Sequence, residues 1–284
     1  MMKQFVGIRR FSSVSNKVIK MTINKNIGIV EMNNSSNAVN VINHEFSRDL
    51  KEILDEYEKK NLKSLIFKSS KKNNFIAGAD INMLKESNEK DISKILDDGH
   101  DLINKLSNIN SIALINGSCL GGGLEFALAC KYRIASNNKS TIFGLPEVKL
   151  GILPGMGGTQ LFPRLIGLKD SLKYILTGTN INYKKAYKLG LVDYLVDESI
   201  LEKSGLQIAN ELPVLKRKSN NLDSILSKPI MYLSKKNVEK ETKNLYPSPK
   251  KIIDILDTTS EKINLQKEKE GFIQLLKTEE SKSL

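Results

Sequence analysis

Ile112-Ala-Leu-Ile115 runs straight into Asn116-Gly-Ser-Cys-Leu-Gly-Gly-Gly-Leu-Glu-Phe-Ala-Leu-Ala-Cys130. A short apolar strand is followed by a glycine turn at 117–123 and then by a helix over Gly122–Cys130. A strand that ends in glycines and opens a helix leaves backbone N–H groups without intrahelical partners, aimed out of the helix start. Glycine lets another molecule approach those groups closely, and the helix dipole adds partial positive charge. The stretch therefore suits a phosphate, or a carbonyl oxygen that gains negative charge. Gly-x-x-x-x-Gly-Lys-Ser/Thr does not occur in the chain, and the spacing Gly-x-Gly-x-x-Gly is matched neither around 117–123 nor around 151–158. Nucleotide phosphate binding is thereby disfavoured.

Outward from this stretch the chain alternates. Ile27–Met32 reads as a strand, followed by an Asn/Ser turn at Asn33–Asn37. Val41–Lys59 has apolar residues at the spacing of one helical face, and Asp91–Leu106 repeats the pattern. Lys63–Ser69 holds the strand candidate Leu65-Ile66-Phe67, the Lys/Asn cluster at 71–74 reads as a loop, and another strand is expected near Tyr132–Ala135. This strand–helix alternation predicts an α/β chain with parallel crossovers. From Leu161 the pattern is mainly helical, with helices at Leu168–Thr177 and Tyr183–Leu189 and a strand-like Leu191–Val196. The Lys/Glu-rich tail from Ser199, interrupted by Pro213, Pro229, Pro247 and Pro249, reads as separate helices rather than a second independent domain.

Composition narrows the function. The chain has 284 residues, 40% hydrophobic and 27% charged, enough for a sizeable core. No run approaches the roughly 18 apolar residues of a membrane-spanning helix. Cys119 and Cys130 lie in one apolar stretch, and the two histidines are His44 and His100, so neither a disulfide scaffold nor a metal site is expected. Without Trp and with 6% aromatics, the +12 net charge does not point to a base-stacking nucleic-acid surface. Part of that charge is local: Lys3, Arg9, Arg10, Lys17, Lys20 and Lys25 precede Glu31, the first acid. Residues 1–20 read as a mitochondrial presequence, which predicts a matrix location, and are set apart from the fold.

Two carboxylates stand in apolar surroundings. Glu125 is flanked by Leu124, Phe126, Ala127 and Leu128, and Glu147 lies between Leu145-Pro146 and Val148. Beside an anion-binding helix start, such a pair suits acid/base work on a carbonyl compound. The same residues also fit a Glu satisfying a helix dipole and a surface Glu after a proline.

Three segments together resemble the crotonase (enoyl-CoA hydratase/isomerase) superfamily over residues 24–200. They are Ala77-Gly-Ala-Asp80, Gly121-Gly-Gly-Leu-Glu125, and Pro146-Glu147 followed by Pro154-Gly-Met-Gly-Gly-Thr-Gln160. Phe75-Ile-Ala-Gly-Ala-Asp-Ile-Asn-Met83, Gly144-Leu-Pro-Glu-Val-Lys-Leu-Gly151, Asn244-Leu-Tyr-Pro247 and Lys251-Ile-Ile-Asp254 are similar to the hydratase region of the trifunctional α-subunits. The resemblance implies a ClpP-like spiral of ββα units over 21–200, with a helical C-terminal extension over 201–284 similar to the linker of those subunits. It implies an oxyanion hole for a thioester carbonyl from the N–H groups of Ala79 and Gly122, and catalytic roles for Glu125 and Glu147. In a hydratase the residue matching Glu125 helps deprotonate water for attack at Cβ, and that matching Glu147 delivers a proton to Cα. Ala77, Gly78, Asp80, Ile81 and Gly121 match substrate-binding positions.

The implied substrate is an acyl-CoA thioester, with CoA part of the substrate and neither cofactor nor metal. The implied partners are further copies of the chain, as a trimer or hexamer, and a thiolase-type β-subunit. Nucleic acid and a membrane span are not expected. Because the similarity to the α-subunits reaches only into their linker, no NAD use is expected. Lys71, Lys72 and Lys85 are candidates for the CoA phosphates, and Ser36–Asn40 for the CoA pocket or a cap on the following helix. Leu161 stands where the family commonly has a basic residue, and Met156 where it has a smaller one. An isomerase on the same scaffold needs one working carboxylate, and a non-catalytic acyl-CoA or partner-binding protein needs none.

Overall fold

A computed structural model describes residues 17–215, 217, 221–243, 245–257 and 264–282. The presequence expectation for residues 1–16, and Asn244, lie outside the described residues. The chain opens with a hairpin of β1 (Ile19–Asn24) and β2 (Ile27–Met32), closed at Lys25-Asn26 with Lys25 at φ 57°. The described fold thus takes in residues 17–20, which the sequence reading set apart: Val18 and Ile19 are buried, and the N–H of Val18 donates to Asp49 Oδ2 at 2.8 Å. The helix α1 (His44–Lys59) that carries Asp49 starts where the side chain of Asn43 accepts the Phe46 N–H. It buries Phe46, Leu50, Ile53 and Leu54 on one face.

A strand–strand–helix unit then recurs. β3 (Ser64–Ser69) and β4 (Asn73–Ile76) precede α2 (Ile81–Glu86) and α3 (Glu89–Ser107). β5 (Ser111–Ile115) and β6 (Gly117–Leu120) precede α4 (Gly122–Ala129). β7 (Tyr132–Ser136) and β8 (Ile142–Gly144) lead through a 3-10 turn at Glu147–Leu150 to α5 (Gly158–Ile166). After α6 (Leu168–Thr177) come β9 (Ile181–Asn182), α7 (Tyr183–Leu189), β10 (Tyr194–Val196) and α8 (Leu201–Glu211). The remaining helices are α9 (Asn221–Thr242), α10 (Pro247–Leu256), α11 (Leu265–Leu276) and α12 (Glu279–Lys282).

First strands of each unit join one sheet, in the order β1-β2-β3-β5-β7-β10, parallel apart from the β1–β2 hairpin. Second strands form another, β4-β6-β8-β9, parallel between β4, β6 and β8. Alternate residues of the larger sheet serve different cores. Leu65, Phe67, Ala113 and Ile115 join the main core, while Ile66, Ile112 and Leu114 pack under Leu201, Ile208 and Ala209 of α8.

The second sheet departs from the sequence reading of 71–74 as loop and of 117–120 as turn. Asn and Gly are poor strand formers, and the pairing rests on close backbone approach, to which Asn74 Nδ2 adds a bond to Ser118 Oγ at 2.9 Å. A methyl group on Gly117 would lie 1.9 Å from the carbonyl carbon of Asn73, so glycine is what lets β6 close on β4. The segments that follow β4, β6 and β8 of this second sheet reach one place.

Candidate active site

The loop after β4 is pinned by a parallel bridge between Ala79 and Ile42. The Ile42 N–H donates to Gly78 O and the Asp80 N–H to Ile42 O, each at 2.9 Å. These bonds use the neighbours of Ala79 and leave its own N–H free. Nearby, α4 begins at Gly122 after Gly121, whose φ of +52° favours glycine. A methyl group on Gly122 would lie 3.5 Å from the Ala79 nitrogen, so the two amides are neighbours. Neither N–H donates a hydrogen bond among the described residues. They form a pair of open donors at a helix start.

Glu125 sits in the first turn of α4 and is 2% exposed. Its Oε1 accepts the N–H groups of Met156 and Gly158, both at 2.7 Å. Burial pushes this carboxyl well above its usual range; the charges of Glu268 and Glu147 add, and the two N–H donors oppose. Glu147 opens the 3-10 turn after β8 and is 8% exposed. A methyl group on Gly121 would lie 3.1 Å from Glu147 Oε1, which places this carboxyl beside the amide pair. Its Oε2 is buried without a hydrogen-bond partner among the described residues. Burial pushes Glu147 up to about 8, opposed by its own backbone N–H and reinforced by the charge of Glu268. Both carboxyls therefore favour the protonated form more than a solvated Glu does.

A cleft of about 980 Å3 collects these groups. Ala77, Gly78, Ala79, Asp80, Ile81, Gly121, Gly122, Glu125 and Glu147 all line it. Asp80 has a structural task as well, since its Oδ1 accepts the Asn82 N–H and caps α2. Met83, Leu84, Ile95, Leu96, Met156 and Phe272 give the cleft an apolar wall. Lys71, Lys72 and Lys85 do not line it; the lysine that does is Lys94, held by Asp98 at 2.5 Å. Nor does Ser36–Asn40 cap α1, which Asn43 does. Asn40 instead cross-links the loops, donating to Met32 O, Ser69 Oγ and Phe75 O.

Sequence reading missed two contributors. Met156 supplies a backbone donor to Glu125, and Phe272 brings α11 to the cleft against Gly155. The second had no readable signal, because Lys267-Glu-Lys-Glu-Gly-Phe272 looks like any solvated helix. Among the described residues no group of His, Cys, Asp or Glu is placed to hold a metal ion, and no helix is long and apolar enough to cross a membrane.

A sequence profile described as Enoyl-CoA hydratase/isomerase matches residues 22–255. The chain belongs to the enoyl-CoA hydratase/isomerase family. This family member is 40% identical over 240 residues to a protein of Shewanella halifaxensis (strain HAW-EB4) named fatty acid oxidation complex subunit alpha, covering 80% of this chain and 34% of that one. A Shewanella frigidimarina (strain NCIMB 400) protein of the same name is 37% identical over 273 residues, covering 91% and 38%. The chain thus spans little more than a third of the length of these curated relatives. Among solved structures, enoyl-CoA hydratase from Bacillus anthracis is similar with a TM-score of 0.64 and 32% identity, over 69% of this chain and 76% of that one. Enoyl-CoA hydratase from Thermoplasma volcanium GSS1 is similar with a TM-score of 0.63 and 25% identity, over 84% and 90%. The crotonase fold implied by the family resemblance is therefore the fold of this chain.

Proposed function

We propose that this enoyl-CoA hydratase/isomerase family member adds water across the double bond of a 2-enoyl-CoA. The observation that carries the reading is the convergence of two buried carboxyls, Glu125 and Glu147, on the cleft that holds the open amides of Ala79 and Gly122. The thioester oxygen gains charge only as the reaction proceeds, so preformed N–H donors stabilise the transition state over the ground state. One such donor contributes about 3–4 kcal/mol.

The two carboxyls share their protons as a coupled pair. Glu147, with an unpartnered Oε2, keeps a proton; Glu125, held by two N–H donors, serves as the carboxylate. Water loses a proton to Glu125 as its oxygen bonds to Cβ, and the enolate takes the Glu147 proton at Cα. The product is a 3-hydroxyacyl-CoA, and reprotonation of Glu147 at the expense of Glu125 restores the pair. An isomerase moves a proton with one carboxyl, so the presence of both favours hydration. The apolar wall suits the acyl chain.

Fatty-acid oxidation as the setting is supported by the names of the curated relatives. The words complex and subunit alpha in those names support a further subunit as partner, for which the α-subunit resemblance implies a thiolase-type β-subunit. Exposed Tyr232, Leu233, Leu245 and Tyr246 support contact with another surface, and the trimer or hexamer rests on the family resemblance. The acid-free basic start supports a mitochondrial matrix location.

The test is loss of enoyl absorbance with crotonyl-CoA and with a longer 2-enoyl-CoA, for the wild type and for Glu147→Gln. The expected result is turnover by the wild type and a loss of about 10²–10⁴ in kcat for the variant. A variant with undiminished turnover removes Glu147 from the mechanism, and a wild type that binds both thioesters without turnover overturns the reading.

A further inference from the structure

The N–H groups of Met156, Gly157, Gly158 and Thr159 are divided between two buried carboxylates. Glu125 of α4 accepts those of Met156 and Gly158. Glu268 of α11 accepts that of Gly157 at 2.5 Å and that of Thr159 at 2.9 Å, together with the Thr159 hydroxyl. Successive amides of one loop thus face alternate carboxylates, and Gly157 makes this possible with a φ of +98°. The loop cannot shift toward either acid without leaving the other.

Glu268 is 0% exposed and does not line the cleft. A buried carboxylate needs compensating partners, and its partners are the loop itself. Further contacts hold the same assembly. His100 Nε2 of α3 lies 2.8 Å from Gly155 O and 3.7 Å from Glu268 Oε1. The Asn264 N–H, at the start of α11, donates to Gln160 Oε1 at 2.9 Å, and Lys269 pairs with Asp97 of α3 at 2.5 Å. The helix bearing Glu268 is therefore anchored on both sides of the loop.

We infer that Glu268 is a positioning residue for Glu125: it fixes the loop whose remaining N–H groups orient the carboxylate facing the substrate. This inference rests on the hydratase reading above for its kinetic consequence, and on the hydrogen-bond pattern for its structural one. It makes the C-terminal helices part of the catalytic apparatus. Gln at 268 can accept one of the two amides but turns an NH2 group toward the other. The loop then loses its alternate hold, and Glu125 loses a fixed direction.

Two measurements on the full chain test it. In a double-mutant cycle of Glu268→Gln with Glu125→Gln, Glu268→Gln lowers kcat about tenfold or more with KM within about threefold of wild type, and adds nothing once Glu125 is replaced. In amide hydrogen exchange, Glu268→Gln lowers the protection of Met156 and Gly158, which bond Glu125 and not Glu268. Unchanged protection at those two amides in the folded variant overturns the inference, as does a kcat loss that multiplies fully with that of Glu125→Gln. Should Glu268→Gln fail to fold, Thr159→Val, which removes the hydroxyl donor to Glu268 and with it an acceptor of Gln160 Nε2, enters the same cycle and exchange measurement with the same expected coupling. A wild type without hydration fails the functional reading, whereas the exchange result still decides whether Glu268 holds the Glu125 donors.

Discussion

Glu147 carries opposite demands from chemistry and from stability. Its carboxyl holds a proton up to about 8, whereas an unconstrained Glu releases it near 4.5. In its proposed role as proton donor it works while protonated, so kcat is expected to fall as pH rises through about 8; a pH–rate profile checks this, and Glu147→Gln is expected to remove that limb along with most of the rate. Stability follows from the same shift. Between about 4.5 and 8 the folded chain binds a proton that the unfolded chain has released, so folding weakens as pH rises across that window. Glu147→Gln abolishes the dependence, and thermal melting should show the variant gaining on the wild type by about 1–3 kcal/mol at the upper end of the window. A melting difference that shrinks as pH rises would contradict burial as the origin of the shift. Gly121→Ala strikes the same carboxyl from outside. At φ +52° a side chain is strained, and its methyl would press on Glu147 Oε1, so we expect a loss of kcat of about tenfold or more together with lower stability, read by kinetics and melting.

At the scale of elements, α4 shows how the site is held. Gly123 meets β4 so closely that a methyl group would lie 2.3 Å from Ile76 O. Gly123→Ala must therefore push α4 off the sheet, lowering stability by about 3 kcal/mol and displacing both Gly122 and Glu125; denaturant unfolding and turnover measure the two effects. Met156, with Ile42 and Ser47, lines both the large cleft and a small apolar pocket between α1, α3 and α4 that Phe46, Leu50, Leu102 and Phe126 complete. Met156→Ala should join the two and raise kcat/KM for longer enoyl-CoA relative to crotonyl-CoA, by about tenfold per few added methylenes accommodated. These elements also mark what the sequence could disclose. α6 and α7 fall at Leu168–Thr177 and Tyr183–Leu189 as their apolar spacing predicts, because periodicity records which face is buried. Glu125 and Glu147 were legible because a charge inside an apolar run is conspicuous. β4 and β6 were not, since each is four residues long and their pairing rests on close approach of Asn73 and Gly117, residues with weak strand preference. Glu268 was not either, since its burial comes from a loop more than a hundred residues earlier.

At the scale of the molecule, the helices after residue 200, read from the sequence as separate helices rather than a second independent domain, share the core of the preceding residues. Met231 of α9, Ile252, Ile253 and Leu256 of α10, and Phe272 and Leu275 of α11 belong to the same apolar cluster as Phe46, Leu96, Phe162 and Ile175. The Lys/Glu-rich tail conceals this because most of its charges lie in solvent, while α9 packs on α6, α10 on α5 and α6, and α11 on α3. α8 meanwhile covers the opposite face of the larger sheet, with Gly205 against Leu114. A tail that were merely appended would melt by itself and leave the sheets intact. A tail that completes the core transmits its own damage to the centre. Ile252 is fully buried in α10, so Ile252→Ala should cost about 2–5 kcal/mol. The distinguishing readout is where the loss is felt: amide protection should fall in α5 and α6 as well as in α10, since these helices open together. If α10 loses protection while α5 and α6 keep wild-type values, the C-terminal helices form a separate unit, and their part in holding the catalytic loop would have to be local to Glu268.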